Sequence, residues 1–205
     1  MQRTVNHLMD NVIPAIEEYA DAELALSRAF HASTNKNDPQ NWQIEAAGAI
    51  RSASNAAVAI DGLTDRATRE SDKSKTQIRK ELRNLCNFGV GGYLREGAHD
   101  RVRGVASVYK HDEAQDATIP LNSSDDVLAV GLGFGFDAYG VGKYSGPEVL
   151  VGQTAGNQSK FMGDVVAAVC AWFQLLSTEG AVLPEKPVKV INVMVHSGAS
   201  DEQKR

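Results

Sequence analysis

The sequence predicts an α+β protein: an N-terminal helical bundle packed with a small antiparallel sheet and one C-terminal covering helix. Three observations predict it. Apolar residues recur at spacings of three and four through about residue 110. Two β-rich runs, 127–136 and 147–151, flank a glycine-rich stretch. A strongly apolar helical pattern at 157–178 then leads to a last β-like run at 188–195. The 205 residues fit a single compact domain, with 1–110 as its helical part and 127–196 as its hairpin, helix and strand part.

The first helix carries Val5, Met9, Val12, Ile16 and Tyr19 on one face and ends near Phe30. Pro14 predicts a break near Asp10 or Asn11, with the main helix starting there. Asp38-Pro39 reads as an N-cap followed by a first-turn proline. The long helix that follows has a narrow stripe of Trp42, Ala46, Ala49, Ala53, Ala56, Ala57, Ile60, Leu63 and Ala67. Such small residues let a neighbouring helix come close, so antiparallel packing against the first helix is expected. Ser74 and Gln77 have capping-box spacing ahead of a helix with Ile78, Leu82 and Cys86 inward. Glycines at 89, 91 and 92 end it. A short helix over 100–109 places Val102, Val105, Ala106 and Tyr109 on one face. The pattern at 157–178 closes at Gly180. Residues 188–195 (VKVINVMV) read as one strand that pairs with the hairpin.

The N-terminus shows no basic segment followed by an apolar core, so no secretory signal is expected. No window is expected to reach the apolar length of a membrane span. The expected compartment is the cytoplasm. Cys86 and Cys170 read as reduced, buried thiols, although sequence leaves a disulfide open. Charge is uneven. Residues 66–110 hold eleven Lys/Arg against five acids, a net +6, and the remainder holds ten against twenty-one, a net −11. That split predicts one surface suited to anions.

Residues 131–146 (GLGFGFDAYGVGKYSG) contain six glycines and are the least ordinary stretch of the chain. A phosphate-binding loop would need glycine where Asp137 stands, a hydroxyl residue where Tyr144 stands, and a helix directly after it. All three are missing. Alternating Gly131, Gly133 and Gly135 instead give a strand face able to lie flat on another surface. Asp137, Tyr139, Lys143 and Tyr144 are its candidate ligand or partner contacts. Lys75, Arg79 and Arg83 share a helix face, solvated or anion-binding, which Arg95, Arg103 and His111 extend into a candidate anion or nucleic-acid surface. The His99-Asp100 and His111-Asp112 pairs match no zinc spacing, and no nucleophile motif appears. No catalytic residue, metal or cofactor is assigned.

Residues 105–111 (VASVYKH) and the YGxGKYxG core at 139–146 resemble a group of uncharacterised bacterial proteins. In that group an A-D-x-x-K-H-like helix end precedes a G-Y-G-x-G-x-Y-G-like hairpin. The resemblance covers roughly residues 80–175 and implies a fold but no activity. The helical half also invites comparison with HEPN-type ribonucleases and toxins, whose Arg and His stand four to six residues apart. Here Arg95 and His99 leave three between them, and Arg103 and His111 leave seven, so that motif is missing.

The sequence therefore points to a non-enzymatic protein that acts by binding or assembly, through the basic helical face and the glycine-rich hairpin. A homo-oligomer would use the alanine stripe or the glycine-rich strand. The alternative is a nucleic-acid-directed enzyme or toxin, ribonuclease-like but without a standard motif. A small anionic ligand held by Lys143 and hairpin amides is a third reading.

Overall fold

Helical periodicity in the first half becomes a bundle built around its longest member. The computed structural model describes residues 1–33, 35, 38–86, 95–113, 118–130, 146–152, 158–191 and 193–195. Its helices are α1 (Gln2–His7), α2 (Ile13–Ala32), α3 (Gln43–Glu70), α4 (Lys75–Leu85), α5 (Ala98–His111) and α6 (Phe161–Thr178). Its strands are β1 (Val127–Val130), β2 (Glu148–Val151), β3 (Ser159–Lys160), β4 (Val188–Val190) and β5 (Val193–Val195).

Helix α3 packs against every other helix. Its stripe explains how: Ala49, Ala53, Ala56, Ala57 and Ala67 are fully buried, and methyl-sized side chains admit several neighbours at short range. The stripe is covered within the chain by the neighbouring helices. α2 and α3 run antiparallel. Phe30 and Trp42 meet edge-on with ring centroids 6.1 Å apart at one end. At the other end the Glu70 carboxylate accepts from Arg3 N–H (2.9 Å), Thr4 N–H (2.8 Å) and the Thr4 hydroxyl (2.7 Å). Glu70 thus satisfies amides at the start of α1 that no intrahelical carbonyl can reach.

Pro14 does not break the helix. Leu8–Val12 form a wide π-helical turn, closed by the Ile13 N–H on the Leu8 carbonyl, and α2 continues with Pro14 in its first turn. A local widening accommodates the residue that cannot donate, so the expected break becomes a change of ladder.

The predicted caps form. The Ser74 hydroxyl accepts from Gln77 N–H and the Gln77 side chain accepts from Ser74 N–H. Gly180, at φ 69°, ends α6 with its N–H on Ser177 O and the Ala181 N–H on Leu176 O. Tyr109 departs from expectation: it is half exposed, while Val102, Val105 and Ala106 are buried.

β1 and β2 pair antiparallel, with Val127 opposite Val151 and Val130 opposite Glu148, and β3 adds to the far side of β2. β2 is buried along its whole length and touches α2, α3 and α6. Because Ser159 and Lys160 are taken into the sheet, α6 starts at Phe161 and not at residue 157. Residues 188–195 are two strands, not one. Val188 faces Val195 and Lys189 faces Met194 in a separate hairpin that turns at Ile191, whose φ is 56°. A positive φ at a turn residue suits the twist of a hairpin.

α6 is long and apolar enough to cross a membrane by composition, which corrects the expectation that no window would be. It is the core helix: 67% of that window is buried, and Phe161, Val165, Trp172 and Leu176 are fully inside. Buried apolar residues from Val5 to Val190 form one continuous core across both parts of the chain.

Candidate functional site at the ends of the glycine-rich stretch

The polar feature that stands out lies inside, where α2, β2, β3, α5 and α6 meet. Asp164, in the first turn of α6, is fully buried. Arg101 on α5 grips it with two hydrogen bonds of 2.8 Å, Nε to Oδ2 and Nη2 to Oδ1. The Ser159 hydroxyl donates to Oδ1 at 3.1 Å, and Arg95 Nη1 stands 3.8 Å away. A forked guanidinium on a carboxylate is the strong form of this interaction, and the positive end of a helix favours the anion. Burial works against the Arg101 cation, but Asp164 more than offsets it and holds the Arg101 pKa above its ordinary value. Arg95 also donates to Ser159 Oγ and to the Lys160 carbonyl, both at 3.3 Å. It lies flat on Gly163, where any Cβ would overlap the guanidinium.

A second group adjoins the first. Glu148, opening β2, pairs with Lys160 at 3.2 Å, and both are buried. Glu23 on α2 accepts from the Tyr19 hydroxyl at 2.8 Å and from Val149 N–H at 3.2 Å. Burial, foremost, and then Glu23 push the Tyr19 phenol well above its usual range, with Glu148 and Asp164 adding to the effect. The two groups therefore sit within electrostatic reach of each other. Three carboxylates (Glu23, Glu148, Asp164) and three cations (Arg95, Arg101, Lys160) join five elements. Such pairs fix geometry more than they add net stability, because desolvation takes back much of the attraction.

This network frames the unusual stretch. On one side of it β1 ends at Val130, and on the other Gly146 and Pro147, both buried, stand directly before Glu148. Gly146 rests against Ser27 of α2. The predicted contacts Asp137, Tyr139, Lys143 and Tyr144 lie outside the described residues.

The structure separates the residues of the predicted anion surface. Arg95 and Arg103 point inward, Arg103 reaching Asp100 at 3.5 Å and Thr118 at 3.1 Å. Arg83 holds Asp100 through Nε at 2.7 and 2.9 Å, and Lys75 pairs with Asp65. Arg79 is half-buried. His111 is exposed at the C-terminal end of α5, eight residues and about 12 Å of helix rise from Arg103. Acids from outside residues 66–110 fold onto the basic segment. Lys73 meets Glu179 as well as Glu81, Lys110 meets Asp61, and Arg101 meets Asp164. The charge split of the sequence is thus largely closed by pairing in space.

Two further groups are buried near this network. Both ring nitrogens of His99 lack a hydrogen-bond partner among the described residues, and burial above all lowers its pKa to about 4. Burial pushes the Cys86 thiol up to about 12, which makes it an inert packing group. Both cysteines are free. Among the described residues, no three His, Cys, Asp or Glu side chains converge as a metal-holding set.

Comparison with protein-family models, with curated proteins and with solved structures returned no match.

Sequence reasoning missed Glu23, Arg101, Glu148, Lys160 and Asp164 as a group. One signal was present: Asp164 is the lone charge of an apolar helix, and Glu148 opens an otherwise apolar strand. A charged residue in such a place needs a partner.

Proposed function

We propose that this is a non-enzymatic, cytoplasmic binding or assembly protein whose contact element is the glycine-rich stretch 131–146. The observation that carries the reading is the frame: strand pairing and a buried, charge-balanced network hold both ends of that stretch. Binding elements are commonly loops presented by a rigid scaffold. Asp137, Tyr139, Lys143 and Tyr144 are its candidate contacts from the sequence, and a second copy of the chain is the first partner to test. The basic helical face is the secondary surface, since much of its charge is matched internally. The rival reading, a nucleic-acid-directed enzyme, has weaker support. It needs Arg95, Arg103 and His111 to act together, and two of them face inward while the third lies at the far end of α5.

The test is sedimentation equilibrium over a concentration series, comparing the wild type with the triple variant Tyr139→Ala, Lys143→Ala, Tyr144→Ala. Self-association lost by the variant at unchanged thermal stability supports the reading. A variant that melts well below the wild type would make the stretch a packing element instead. Salt-sensitive RNA binding with cleavage abolished by His111→Ala would favour the rival.

A further inference from the structure

The inner end of α5 carries a group that the proposed function leaves unused. His99, in the first turn of α5, is 2% exposed, and neither ring nitrogen has a hydrogen-bond partner among the described residues. Every element packed there brings charge. α3 contributes Asp61, α4 contributes Arg79, with Arg83 bound to Asp100, and α5 itself contributes Asp100 and Arg103. On the side of α6, Asp164 is held by Arg101, two residues along from His99. The Cys86 thiol, just past α4, is packed against the His99 backbone N–H.

We propose that His99 is an acid-sensitive latch, whose protonation opens the junction of α3, α4 and α5 and loosens the Arg101–Asp164 clamp. In its neutral form the imidazole fills a buried junction. A proton would put a charge into a buried site, where lost hydration outweighs the pull of Asp100 and Asp61 and where Arg103 and Arg79 add to the opposition, as does the positive end of the α5 dipole. The acids that could balance it are already engaged. Asp61 holds Lys110, and Asp100 holds Arg83 and Arg103. The charged ring gains by reaching water, and it can do so only if the first turn of α5 moves off α3 and α4. Arg101 lies on that turn, so the same movement unseats it from Asp164. This does not depend on what the glycine-rich stretch contacts.

The sign follows from linkage. The closed state binds the proton more weakly, with a pKa of about 4, than an open state with the ordinary value of 6.5. Opening is therefore unaffected above pH 6.5 and grows as pH falls toward 4. The experiment is hydrogen exchange on the full chain between pH 7 and pH 4.5, expressed as protection factors so that the intrinsic rate drops out. Opening of the first turn of α5 should rise roughly 50-fold over this range, while α2 keeps its protection. In His99→Leu, or in His99→Gln should the first variant not fold, the rise should vanish. Equal loss of protection in α2 and α5 would overturn the latch, as would a rise that persists in the variant. If neither variant folds, proton NMR of the His99 ring in the wild type decides. Titration below pH 5 together with α5 opening supports the latch, and a midpoint near 6.5 in the closed protein refutes it.

Discussion

Replacing Arg101 with leucine isolates what a buried clamp contributes. Asp164 is fully buried, and the Arg101 side chain is 20% exposed, so water replaces little of the lost partner. Two contacts of 2.8 Å place the charge centres ~4 Å apart, which at an effective dielectric of ~20 corresponds to about 4 kcal/mol of attraction. The Ser159 hydrogen bond and the more distant Arg95 remain, and together they offset about 1 kcal/mol. Arg101→Leu should therefore cost about 3 kcal/mol, a large share of the roughly 5–15 kcal/mol that keeps a domain folded. Urea unfolding at pH 7 should show it as a lower midpoint at unchanged slope. The double variant Arg101→Leu, Asp164→Leu removes both charges and should recover most of the loss, because the penalty resides in the orphaned carboxylate. A single-variant cost below about 1 kcal/mol, or a double variant no better than the single, would refute the reasoning.

Two further variants test the surroundings by calorimetric melting. Gly163→Ala forces Arg95 off the first turn of α6 and should lower the melting temperature. In an Arg95→Ala background the same change should raise it, since alanine is favoured over glycine in a helix by about 1 kcal/mol. Ser74→Ala removes the capping box of α4 and should cost about 1 kcal/mol, with Ser74→Gly milder.

What the sequence made legible is local. The Ser74–Gln77 cap, the stop at Gly180, the alanine stripe of α3 and the hairpin partners β1 and β2 all follow from spacings of a few residues. The hairpin of β4 and β5, read from the sequence as one strand, had a signal in its parity that the reading passed over. Valines at even positions 188 and 190 give way to valines at odd positions 193 and 195, and a single strand cannot keep all four on one face. The network was not legible because its partners are far apart along the chain. Arg101 and Asp164 are 63 residues apart, and Glu23 and Val149 N–H are 126 apart. Composition shows that a charge stands in an apolar run, but only packing names the residue it faces. The same distance hid the neutralisation of the basic segment, whose acids arrive from α3, α6 and the residue just after α6.

The wide turn at Leu8–Val12 has a consequence for the length of the chain. A turn of that kind holds one residue more than an α-helical turn, so it behaves as an insertion around which both flanks stay in phase. Removing a single residue within it would leave an ordinary helix, with Thr4 still beneath Glu70 and Tyr19 still beside Phe161. Removing one residue from the middle of α2 would instead turn one end against α3 by about 100°. The N-terminal helix therefore has one place where its length can change without twisting its contacts, and that place lies directly before the proline.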